Sequence, residues 1–144
     1  MTLASLSAAR AQTRDAIRMS DLSTVSVALE LYYNTYNTYQ VSGGGSNGNG
    51  NGWLTYTNGT TYVTSVTQQL ENEGFLSDGD SFHDPGGAAY NYMIYICDGG
   101  RSYALSATLE YPKPEHEDYI QTTCNGVGSN GTYTRYGKNY AIGS

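Results

Sequence analysis

No glycine or proline occurs from Leu3 to Tyr36, and residues 42–52 then read SGGGSNGNGNG. A run that long without either helix breaker predicts one continuous α-helix. The Gly/Asn/Ser run cannot continue it and offers little to bury, so it reads as a loop. Within the helix, Leu22, Val25, Leu29, Tyr32 or Tyr33, and Tyr36 recur at three- and four-residue steps and draw one apolar stripe. Before Met19 the pattern thins to Ala and Ser with Leu3, Leu6 and Ile17. That first half is expected to protrude, because a helix with so little apolar surface is marginal alone in water. The half from about Asp21 is expected to pack on a body.

The charge divides the same way. Arg10, Arg14 and Arg18 lie at i, i+4 and i+8 beside Asp15, so the first 20 residues carry a local +2 and the remaining residues −8. A net charge of −6 argues against a nucleic-acid binder. Charged residues are 14% of the chain, against roughly 25% in an average globular protein. With 15 Tyr the chain is too aromatic to be disordered, and 144 residues make one domain with room for a core. No stretch within it reaches the roughly 18 apolar residues of a membrane span. A surface of Ser, Thr, Asn, Gly and Tyr suits an extracellular protein.

After the loop, Trp53–Thr57 reads as a short extended piece and Asn58-Gly59 as a turn. A second helix is expected over about Thr61–Glu73, capped by Thr60 or Thr61 and ended by Gly74. Residues 90–97 and 102–110 read as strands joined by Asp98-Gly99-Gly100, with Tyr103, Leu105, Ala107 and Leu109 on the one buried face. Pro112 and Pro114 end the second strand, and Tyr133–Ile142 supplies an edge strand. Helices and strands segregated in this order mean an α+β fold: a stem helix over 1–41 and a head over 42–144, with loop 42–59, second helix 60–74 and antiparallel sheet 88–142. Tyr32, Tyr33, Tyr36, Tyr90, Tyr92, Tyr95 and Tyr103 fall on core faces; Tyr39, Tyr56, Tyr62, Tyr133, Tyr136 and Tyr140 read as surface.

The segment Arg10-Ala-Gln-Thr-Arg-Asp-Ala-Ile-Arg-Met-Ser-Asp-Leu, followed by Ala28-Leu-Glu-Leu-Tyr-Tyr-Asn, resembles the helix of type IV pilins and type II secretion pseudopilins. Leu70-Glu-Asn-Glu-Gly-Phe-Leu resembles the end of that family's second helix. Asp84-Pro-Gly-Gly-Ala-Ala-Tyr-Asn-Tyr resembles the element that opens its sheet. The resemblance covers roughly residues 5–40 and 60–110 and leaves the Gly-rich loop and residues 112–144 unmatched. It implies a structural subunit that polymerises with copies of itself through the helix, served by pilus or secretion assembly machinery. The filament would lie outside the cell, with a precursor in the inner membrane. It also implies a preceding apolar segment opening with a methylated Phe, the chain's one tie to the membrane. Met1-Thr2-Leu3 stands where the last turns of that segment would be, and the expectation is that it has been removed. The competing class is a secreted adhesive module that forms no filament.

Several residues are then candidates. Cys97 and Cys124 are the only cysteines; an even count in an exported chain suggests a disulfide, which pilins often use to tie the C-terminal region to the sheet, and two free thiols are the alternative. Arg10, Arg14, Asp15, Arg18 and Asp21, with Glu30, either bridge neighbouring subunits in a helical array or form an ordinary solvated face. Asp78, Asp80 and Asp84 offer oxygen ligands for Ca²⁺ or form a solvated acidic turn. Major pseudopilins bind calcium in a later loop, nearer Glu115, Glu117 and Asp118. Otherwise no cofactor is expected, and His83 and His116 lack the spacing of a zinc site. Asn58-Gly-Thr and Asn130-Gly-Thr fit the glycosylation triplet by chance in so Asn/Thr-rich a chain. With no G-x-S-x-G and no His dyad, the chain is not read as an enzyme.

Overall fold

The computed structural model describes residues 2–87, 91–116, 124 and 136–144. Helix α1, Leu3–Tyr36, is 34 residues of unbroken helix, about 51 Å long. The Thr2 hydroxyl caps its start by accepting from the Ser5 N–H at 3.2 Å. Asn37 ends it in the left-handed region, φ 56°, and donates its N–H to the Tyr33 carbonyl at 2.7 Å. Among the described residues four strands follow in one sheet: β1 Gly52–Trp53, β2 Met93–Cys97, β3 Ser102–Ala107 and β4 Tyr140–Gly143. Their spatial order equals their chain order, and every neighbouring pair is antiparallel. Helix α2, Val66–Asn72, completes an α+β fold. Among the described residues no helix is long and apolar enough to cross a membrane.

The core lies between α1 and the sheet. Leu22, Val25, Ala28, Leu29 and Tyr32 pack against Val41, Leu54, Val66, Leu70, Tyr92, Ile94, Tyr103, Leu105 and Ala107. The inward face of α1 runs Ala11, Asp15, Arg18, Leu22, Val25, Leu29, Tyr32 at three- and four-residue steps. Packing therefore starts about ten residues before Asp21, because a small alanine and the charged Asp15 and Arg18, not large apolar side chains, fill the first part of the buried face. Strand β3 is buried on both sides. Tyr103, Leu105 and Ala107 face the helix, while Ala104 packs with Ala141, Tyr95 and Cys124 behind the sheet. Strand β4 begins at Tyr140, and residues 133–135 of the expected strand lie outside the described residues.

Two local expectations shift for identifiable reasons. The second helix begins at Val66, capped by Ser65, whose hydroxyl accepts from the Gln68 N–H at 3.1 Å. Residues 58–62 stay out of it because Asn58 Oδ1 accepts the N–H groups of Thr60 and Tyr62 at 3.0 and 2.9 Å, which holds a turn. Gly74 does take the left-handed conformation after α2, φ 84°. Tyr36 and Tyr39 exchange places. The Asn37 turn folds the chain back over the helix end, and the Tyr39 N–H reaches the Gly100 carbonyl at 2.7 Å. Tyr39 then lies buried, its ring 4.4 Å from Tyr33 and 4.6 Å from Tyr103, while Tyr36 is 49% exposed.

The Gly/Asn run is a loop, but a tightly folded one. Gly43 donates to the Gly48 carbonyl at 2.9 Å and Ser46 to the Asn51 carbonyl at 2.8 Å. Gly45 adopts φ 78°, and a Cβ there would lie 2.7 Å from the Asn51 carbonyl oxygen. Glycine here permits close backbone approach rather than looseness. Cys97, at the end of β2, forms a disulfide with Cys124, S–S 2.02 Å, across 27 residues.

Candidate functional site

The sequence Asp15-x-x-Arg18-x-x-Asp21 places two carboxylates one turn either side of a guanidinium on the inward face of α1. Arg18 forms a bidentate pair with Asp84, both contacts at 3.0 Å. Its third nitrogen contacts Asp15 and Glu110, both at 2.7 Å. The Arg18 and Asp84 side chains are fully buried. Asp15 also accepts the N–H groups of Glu110 and Tyr111 at 2.9 Å, and Asp84 accepts that of Gly86 at 2.7 Å. Arg14, nearer solvent, holds Glu110 through two contacts of 2.8 and 2.6 Å. The cluster therefore stitches α1 to the turn before β2 and to the segment after β3. Burial works against a charged Arg18, but hydrogen bonds to Asp84, Glu110 and Asp15 outweigh it and hold the group protonated above its usual range.

Arg14, Asp15 and Arg18 come together, joined by Asp84 and Glu110 from 66 and 92 residues beyond Arg18. Asp15 and Arg18 are buried against partners in the same chain, so a neighbouring copy could reach them only by taking the cluster apart. Asp21 is turned inward, accepting from the Tyr92 hydroxyl at 2.7 Å. Burial raises its carboxyl despite that bond. Arg10 is exposed, with no side-chain partner among the described residues. The calcium expectation loses Asp84, both of whose oxygens face the Arg18 guanidinium. Among the described residues no three His, Cys, Asp or Glu side chains converge as a metal group. Glu115 is exposed, and Glu117 and Asp118 lie outside the described residues.

The outer side of α1 is a different surface. Leu3, Leu6, Arg10, Thr13, Ile17, Ser20, Thr24, Val27 and Leu31 follow one another at three- and four-residue steps and so form a second stripe. Leu3, Ile17, Val27 and Leu31 are 87%, 42%, 59% and 49% exposed. Thr13 and Thr24 turn their hydroxyls onto the Ala9 and Ser20 carbonyls at 3.0 and 3.1 Å, which satisfies them within the helix. The result is a long, mostly uncharged face with one cation, Arg10. Sequence reasoning missed this stripe because Val27 and Leu31 lie opposite the stronger buried stripe, in a face interrupted by Ser, Thr and Arg10. Their own three- and four-residue spacing was the available signal.

Compared with protein-family models, with curated proteins and with solved structures, the chain matches none of them.

The cluster makes stability sensitive to acid. Hydrogen bonds from Arg14 and Arg18 pull the Glu110 carboxyl down to about 2 from an ordinary 4.5. A depressed folded value means the contribution is present above the ordinary value and is lost as the pH falls toward the folded one. The urea midpoint is expected to drop between pH 4.5 and 2, and Glu110→Gln to flatten that limb. Burial and Asp21 push the Tyr92 hydroxyl far above its ordinary 10, so stability is also lost as the pH rises past that value. Equilibrium urea unfolding across pH checks both limbs.

Proposed function

We propose that this chain is a structural subunit of an extracellular bacterial filament of the type IV pilus or pseudopilus kind, polymerising with its own copies through α1. One observation carries the reading: a single 34-residue helix is packed along one side and left open along the other. Its first buried residue is Ala11, so about two turns, roughly 12 Å, stand largely clear of the sheet. Leu3, Ile17, Val27 and Leu31 lie exposed on that open side, where a side-by-side array of helices would bury them. The resemblance in residues 10–34 and 84–92 points the same way. The Cys97–Cys124 disulfide suits an exposed fibre and favours a surface pilus over a secretion pseudopilus. Assembly machinery and an inner-membrane precursor belong to the same proposal.

The open stripe supplies the test. Val27→Asp with Leu31→Asp is expected to cut the filament fraction sheared from cells at least about tenfold, because a buried unpaired carboxylate costs several kcal/mol per contact. Both side chains are exposed in the single chain, so its melting temperature should hold within about 2 °C. Normal filament yield from the double variant would remove α1's outer face as the assembly surface.

A further inference from the structure

The head carries a pocket that the filament reading does not use. It opens where the Gly/Asn loop meets β1 and β2, has a volume of about 260 Å³, and is lined by Trp53, Tyr62, Tyr95, Tyr136, Asn49 and Asn51 among others. The loop builds it deliberately. Gly52 sits at φ 99°, and a Cβ there would lie 2.1 Å from the Tyr62 hydroxyl, so only glycine lets that ring close the wall. The Trp53 N–H then donates to the Tyr62 oxygen at 3.3 Å. Trp53 and Tyr136 meet edge to face, centroids 5.2 Å apart.

The polar groups are amides and phenols. Asn51 Oδ1 accepts the Ile96 N–H at 2.7 Å, and Asn49 Oδ1 accepts the Asn51 N–H at 3.1 Å. Both acceptors are fixed by backbone, and the two Nδ2 groups have no partner among the described residues. Among the described residues no charged side chain lines the pocket. A cation, which aromatic walls otherwise suit, is disfavoured here because the Lys138 ammonium already lies 5.5 Å from the Trp53 ring centroid. The ligand that fits is uncharged, has an apolar face to lie on a ring, and carries hydroxyls for two amide donors. Pockets that enclose drug-sized ligands run from about 300 Å³ upward, so this one is sized for a single small ring.

We propose that this pocket binds a neutral pyranose, the sugar's apolar face against the Trp53–Tyr136 pair and its hydroxyls on the Asn49 and Asn51 amides. The site stands whether or not the chain polymerises. Trp53 is the only tryptophan of the chain, so its emission reports the pocket directly. The full chain is titrated into the millimolar range with methyl glucoside, methyl galactoside, methyl mannoside and N-acetylglucosamine. Sorbitol (the hydroxyls without the ring) and tetramethylammonium serve as comparators. The expected result is a saturable change with at least one sugar and none with either comparator. Tyr136→Ala, at a side chain 43% exposed, should keep its melting temperature and bind about tenfold more weakly, with Tyr136→Phe restoring binding. No saturable change with any of the four sugars, an equal response to sorbitol or tetramethylammonium, or unaltered binding by Tyr136→Ala would each overturn the proposal.

Discussion

Arg18→Met is expected to lower the stability of the chain by about 3–5 kcal/mol, the cost of removing one partner from a buried ion cluster. The methionine fills much of the same space, so the loss is chiefly electrostatic. Asp84 would keep a fully buried carboxylate with the Gly86 N–H but no ion-pair contact, leaving only the more distant Lys138 ammonium to act on it through space. Asp15 would keep the two backbone N–H groups after β3 and likewise lose its cation. Arg14 cannot substitute, because both its contacts go to Glu110 on the solvent side. In a chain of this size the change amounts to a fall in melting temperature of roughly 10 °C or more. Arg14→Met is the contrast. Its side chain is 34% exposed, and an ion pair open to water contributes about 1 kcal/mol or less. Arg18→Met with Asp84→Asn should recover part of the loss by removing the stranded charge. Equal effects of the two single arginine substitutions would mean that burial does not set the energetics of the cluster.

Removing the disulfide by Cys97→Ala with Cys124→Ala is expected to cost about 3–4 kcal/mol on the chain-entropy account of a 27-residue loop. The position of the bond explains why that loop matters. Cys97 ends β2 opposite Ser102, and Cys124 lies in the long connection that must return to lay β4 against β3. Beyond the bond, this return is held by the β3–β4 ladder and by Asn139, whose side-chain amide exchanges hydrogen bonds with Leu109 at 2.7 and 3.0 Å. The helix-facing core of α1, β2 and β3 does not include the cysteines. The double variant should therefore keep its far-ultraviolet dichroism and lose urea resistance. An oxidised and a fully reduced wild-type chain with the same urea midpoint would contradict this.

The elements legible in the sequence were those written in short-range pattern. The absence of breakers from Leu3 to Tyr36, the Gly74 stop and the Asp98-Gly99-Gly100 turn are local signals, and each falls where the chain uses it. What the sequence hid was long-range. Asp84 in a run of acids reads as a cation ligand, and only the fold brings Arg18 to it across 66 residues. Because that partner was invisible, a buried face made of Ala11, Asp15 and Arg18 read as a helix standing free. Asn58 gives another instance. Thr60 and Thr61 are good caps by type, but an Asn two residues upstream had already captured the backbone. The Gly/Asn run carried composition but no shape, since its closure depends on contacts with the Asn51 carbonyl and Tyr62.

Assembly through α1 is tested most directly by electron microscopy. The gene with its own upstream codons is expressed in its native cells, and the sheared surface fraction is labelled with antibody raised against residues 42–144. The expected images show thin filaments decorated along their whole length, absent from cells lacking the gene. Label confined to dispersed particles, with no filament carrying it, would contradict the account and leave a secreted binding module in its place.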